Sequence, residues 1–116
     1  MNGTTTCRRG SIVLVRFVFA DEKGAKHRPA LVISGATYHD GRREAVVAAI
    51  TSHIGRHLPG DYLVEDWQTA GLIAPSTVTG ILRTIKQDMI VRTIGALPPP
   101  ELTAVDRTLR LILELP

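Results

Sequence analysis

Three segments of this chain are apolar through several consecutive residues, not at every second or every third and fourth position. They are "SIVLVRFVFA" from Ser11, "RPALVIS" from Arg28 and "AVVAAITS" from Ala45. Each is too short for a buried helix, rich in Val, Ile or Phe, and bounded by turn residues. That pattern predicts strands covered on both faces for much of their length. Only Arg16 interrupts the first run. Pro29 has no N–H to give to a sheet, so it is expected at the start of its strand or at an edge.

The intervening segments are polar. "DEKGAK" and "GATYHDGRRE" read as loops, the second with Asp40-Gly41 as its turn. "HIGRHLPGD" reads as an exposed basic linker ending in Pro59-Gly60. Beyond it, Tyr62 to Val64 fits a short strand, and Glu65 to Ala70 fits a helical turn that stops at Gly71. "APSTVTGILRTI" and "DMIVRTIG" are two further β-like runs. Prolines 98 to 100 then open a C-terminal helix whose apolar stripe is Leu102, Val105, Leu109 and Ile112. Arg107 and Arg110 face away from it.

This order predicts a mainly β, α+β fold: a small antiparallel barrel with a short connecting helix and a C-terminal helix. The 116 residues suit one domain, 1–116, with 1–9 as a flexible N-terminal segment. Phe17, Phe19, Tyr38, Tyr62 and Trp67 are the only aromatic residues, so the core must be largely aliphatic. Phe17, Phe19 and Trp67 are assigned to packing. A chain this short buries a modest share of its surface, and pairing with a second copy would bury more.

The net charge of +3 is unevenly spread. Residues 1–58 hold nine Lys/Arg against four Asp/Glu, and residues 59–116 five against seven. All four histidines also lie in the first half, which points to an anionic partner met there. The single cysteine, Cys7, allows no internal disulfide and fits a reducing cytoplasm. The start has no signal-peptide pattern, and no apolar run has the length of a membrane helix.

Most catalytic chemistries find no footing. His53 and His57 have ligand spacing, but Gly55 lies between them and no Glu completes a zinc motif, so neither metal nor cofactor is expected. Cys7 sits in a polar segment without a held base. No nucleophile elbow, phosphate loop or dinucleotide fingerprint occurs. Two strand ends remain. Arg28 begins one buried strand, and Thr51-Ser52, followed by His53, ends another. If the two strands pair antiparallel, a guanidinium, two hydroxyls and an imidazole share one rim. Those groups suit a phosphodiester: Arg forks onto phosphate oxygens, hydroxyls donate to an oxyanion, and His moves protons. The plainer alternative is that both are ordinary surface punctuation.

At these residues the chain resembles the MazF/PemK family of toxins of toxin–antitoxin pairs. The likeness runs through "GSIVLVRFVFAD", "KHRPALVIS", "VVAAITS" and "GDYLVEDWQTAGLIAPS", and on to "TI" and "IGAL", with the PemK-like branch nearest. The resemblance implies an SH3-like barrel and a cytoplasmic homodimer. It implies a metal-independent endoribonuclease cutting single-stranded RNA at short sequences, through 2′-OH attack that leaves a cyclic phosphate. It also implies a cognate antitoxin that covers the site. Arg28 matches the arginine of the family's "RPA" block and Thr51 the threonine of "TS"; these are the catalytic candidates. Lys26, His27, Ser52, His53, Arg56, His57, Arg83 and Lys86 are the candidate RNA contacts. After "PS", many relatives carry a basic residue soon after two valines, and this chain has Thr79 in or near that place; Thr84-Ile85-Lys86 also departs from their pattern. The alternative is therefore a weakened member that binds RNA or its antitoxin without cutting.

Overall fold

The computed structural model describes residues 7–18 and 25–116. The flexible segment expected at residues 1–6, the packing expected of Phe19 and most of the expected "DEKGAK" loop lie outside them. Six strands form one sheet: β1 (Ser11–Val18), β2 (Ala25–Val32), β3 (Glu44–Thr51), β4 (Tyr62–Leu63), β5 (Thr77–Lys86) and β6 (Ile90–Ala96). Helix α1 is Ala36–Gly41 and helix α2 is Pro99–Leu113. The strand order is β4-β5-β3-β2-β1-β6, and every neighbouring pair is antiparallel. No hydrogen-bonded ladder joins β4 to β6 among the described residues, so the sheet is barrel-like without being closed.

The consecutive apolar residues are explained by two cores, one on each face. Ile12, Leu31, Ala48 and Val78 pack with Val64, Ala70, Leu72, Leu97 and Val105 on one side. Val13, Val15, Ala30, Val32 and Val47 pack with Ala45, Ile85 and Ile90 on the other. Neighbours such as Ile12 and Val13 are both fully buried because the pleat sends them to opposite cores. On α2, Val105 is buried and Leu102 and Leu109 pack against the first core, while Arg107 and Arg110 are exposed.

Two local readings need correction, and the place of Pro29 can be made exact. "ATYHDG" is a helix, not a loop. Its first turn closes with the His39 N–H on the Gly35 carbonyl (3.1 Å). Its far end is held by Gln87, whose amide donates to the carbonyls of Arg42 (3.2 Å) and Glu44 (3.0 Å). The connecting helix is therefore α1, and Glu65 to Ala70 holds only a single turn, with the Ala70 N–H on the Asp66 carbonyl (3.1 Å). Pro29 lies inside β2, opposite Leu14 of β1. It is tolerated because the ladder to β3 spans only Ala30 to Val32, so β2 has an open flank at the proline.

Candidate active site

The end of that ladder builds the site. Ala30 pairs with Ala49, and the register continued by two residues sets Arg28 across from Thr51. Strand alternation puts Arg28 and Thr51 on the same face as the two alanines. Beyond Ala30 the strands part. The opening is a cleft of about 550 Å³ whose walls carry Arg28, Thr51, Ser52 and His53, with Ile73 and Ser76 opposite.

Thr51 Oγ1 accepts the backbone N–H of His53 (3.1 Å). That bond occupies a lone pair and leaves the threonine proton to be donated into the cleft. Arg28 is exposed, and among the described residues no carboxylate pairs with it. The opposite wall, Leu72 to Ser76, is fixed from behind. Gly71 (φ +92°) is pressed against the Ile94–Gly95 backbone, where a Cβ would meet the Ile94 carbonyl oxygen at 2.2 Å. Ser76 donates to the Ala74 carbonyl (2.8 Å), and its own carbonyl takes the Val64 N–H (3.0 Å). Ile73 at the rim is 98% exposed.

The other candidates divide. Arg83 shares a second cavity with Arg28, and Lys26 lies two residues from Arg28 on the same face of β2. His27 points to the other face, in register with Arg16. Arg56 is tied to Asp61 (3.5 Å) within the exposed 53–59 segment, and His57 is exposed there too. Lys86 pairs in register with Glu44, at the far end of β3 from Thr51, about 23 Å along the strand. Among the described residues no three His, Cys, Asp or Glu side chains are grouped as metal ligands would be.

Thr79 is buried, and its role is structural. β5 carries three residues, 79 to 81, where β3 has only Ala49. Thr79 Oγ1 bridges that bulge, donating to the Ala49 carbonyl (2.8 Å) and accepting the Ile81 N–H (3.1 Å). Reading the sequence also missed Glu101. Only 7% exposed, its carboxylate accepts from the Tyr62 hydroxyl (2.7 Å) and the backbone N–H groups of Glu65 (2.7 Å) and Asp66 (3.2 Å). It pins α2 to the segment that leads into the cleft wall. Its position beside the α2 stripe carried no signal, since a first-turn glutamate is usually solvated.

The open rim thus presents a guanidinium and a hydroxyl, donors of the kind that can meet phosphate oxygens. Residues 8–113 match the family model of PemK-like, MazF-like toxins of type II toxin–antitoxin systems. The chain belongs to that family. No curated protein matches it by sequence. Solved structures with the same fold include the Mycobacterium tuberculosis toxin MazF-mt6, at TM-score 0.74 and 24% identity over 91% of this chain and 98% of that one. A mycobacterial endoribonuclease in complex with its cognate antitoxin aligns at TM-score 0.76 and 17% identity, covering 96% and 98%. MazE–MazF from Deinococcus radiodurans aligns at 0.78 and 20%, covering 94% and 96%. Among the described residues no helix is long and apolar enough to cross a membrane.

Proposed function

We propose that this chain is an endoribonuclease toxin that cuts single-stranded RNA without a metal. The observation carrying the proposal is the cleft in which Arg28 and Thr51 converge where β2 and β3 part. The substrate's 2′-OH attacks the adjacent phosphorus, and the 5′-oxygen leaves. A 2′,3′-cyclic phosphate and a 5′-hydroxyl result. Negative charge gathers on the non-bridging oxygens as the five-coordinate transition state forms. The Arg28 guanidinium and the Thr51 O–H are the donors that meet it. His53, exposed on the same wall, is the group placed to move a proton.

The partners follow from the family. A cognate antitoxin as partner, lying over the cleft, is the reading supported by a mycobacterial endoribonuclease solved in complex with its own antitoxin. A homodimer accords with the apolar side chains left exposed on a small chain, among them Leu111 and Leu115. The family match over 8–113 supports a single toxin domain.

One observation favours the second reading, a member that binds without cutting. Thr79, in or near the place where the resemblance leads us to expect a basic residue, is buried and committed to the bulge. The experiment is end-mapping of a mixed single-stranded RNA with EDTA present. Discrete cuts ending in cyclic phosphate support the nuclease. Intact RNA, bound with a steep salt dependence, supports the binder.

A further inference from the structure

On the face of the sheet turned away from Arg28, the cover over the first core stops short of one end of β1 and β2. Ile12 and Leu31, a register pair, are fully buried in that core. The next positions on the same face are not. Leu14 stands between Pro29 on β2 and Arg92 on β6, and two residues further on Arg16 stands opposite His27. Arg16, His27 and Arg92 are all exposed. Cβ atoms of a directly opposed pair such as Arg16 and His27 lie about 5 Å apart, and Arg92 is the diagonal neighbour of Arg16, about 8 Å away. Among the described residues no carboxylate pairs with any of the three, whereas the exposed Arg9, Arg42 and Arg56 each have one. Two guanidinium groups this close repel each other, and the fold leaves that repulsion unrelieved.

We propose that this face is a phosphate track, on which Arg16, Arg92 and His27 hold the backbone of single-stranded RNA outside the cleft, on one side of the cut. The inference rests on RNA being what the cleft takes, and it adds where the strand runs on leaving it. Three observations point to this ligand. Pro29 joins the two places, since it lines the cleft while its register partner Leu14 lies at the centre of the patch. His27 is two residues from Pro29, about 6.6 Å along β2, so a strand that fills the cleft reaches the patch at once. The guanidinium groups are donors only, and their forks match phosphate oxygens. Contacts of this kind position a strand without reading its sequence. RNA is favoured over an acidic peptide because the patch begins where the cleft ends.

The test compares the wild type with Arg16→Gln, Arg92→Gln and the double variant, with Arg43→Gln as an exposed control at the far end of β3. Affinity is measured by fluorescence anisotropy over a range of salt concentrations for two RNAs, one trimmed to the cut site and one carrying flanks on both sides. A 2′-deoxy residue at the mapped cut lets binding be read without cleavage; where no cut maps, the unmodified RNA serves. Melting curves should not move, since the substituted side chains are exposed and unpaired among the described residues. On the flanked RNA the track predicts a log–log salt slope shallower by about 0.7 in each single variant and by about 1.4 in the double variant. On the trimmed RNA all five proteins should share one slope, and its cleavage rate should be unchanged. Shallower slopes with no cleavage by any protein keep the track and overturn the nuclease. Cleavage with an unchanged slope in the double variant keeps the nuclease and overturns the track, and altered sedimentation alongside then assigns the face to a second copy.

Discussion

Ala30 and Ala49 stand opposite each other at the last rung of the β2–β3 ladder, and the site lies two residues further on. Everything that fixes this rung, or the cleft wall facing it, should bear on activity, and everything remote from both on stability alone.

Thr79 tests the first half of that statement. It is 2% exposed, and its hydroxyl serves both the Ala49 carbonyl and the Ile81 N–H. Thr79→Val leaves both groups without this partner and should cost about 2 kcal/mol. Denaturant unfolding reads the loss. Because Ala49 carries the last rung, cleavage at a temperature where the variant is folded should also fall. Thr79→Arg should unfold the protein, since a guanidinium cannot take the place of a buried hydroxyl that holds the bulge.

Glu101 tests the second half. Its carboxylate holds the Tyr62 hydroxyl and two backbone N–H groups. Glu101→Ala strands those donors at a half-buried joint and should lower stability by about 3 kcal/mol. Glu101→Gln, which keeps one carbonyl oxygen, should recover part of it. Thermal melting of the three proteins gives the order.

Tyr62 gives the pH signature of the same joint. Burial, then the bond and charge of Glu101, push its phenol well above the ordinary value of about 10. The native state therefore keeps the proton that the unfolded chain releases. The sign follows: this contribution is complete below about pH 10 and is lost as pH rises from there toward the native value. Stability measured between pH 9 and pH 11, windows set by the free phenol at about 10, should fall more steeply in the wild type than in Tyr62→Phe.

Gly95 locks the cleft wall from behind. A Cβ there would lie 1.9 Å from the Ala70 carbonyl oxygen, and that atom is backbone in a tight turn. Gly95→Ala must push the 70–76 segment outward. It should destabilise the protein by 2 kcal/mol or more, about the upper half of ordinary single substitutions. Cleavage in the folded fraction should drop as well, since Ile73 and Ser76 line the cleft.

Much of this fold could be read from the chain because its strands announce themselves locally. Val, Ile and Ala runs marked β1, β2, β3, β5 and β6, and the stripe through Val105 marked α2. The strand-end argument also brought Arg28, Thr51, Ser52 and His53 to one rim without any coordinates. What escaped was decided by distant partners. Helix α1 carries Gly and Asp-Gly turn signals, yet it is held by Gln87, more than forty residues away. Pro29 pointed to a strand start or an edge, and only the register shows that it is an open flank inside β2. Phe17 looked like a core residue. It does pack against the second core, and it also faces Arg83 across two intervening strands. Lys86 is near Arg83 in sequence, but β5 carries it to the other end of β3. Basic residues count for a site only after the register is known.

The central claim is that Arg28 and Thr51 act on the phosphate and do not hold the fold. The direct measurement is the single-turnover cleavage rate of one mapped RNA, in EDTA, for the wild type, Arg28→Ala and Thr51→Ala, with melting curves alongside. The account predicts that each substitution slows cleavage by roughly 10²- to 10³-fold while the melting temperature stays put. Cleavage at near wild-type rates in both variants would place the chemistry elsewhere and contradict it.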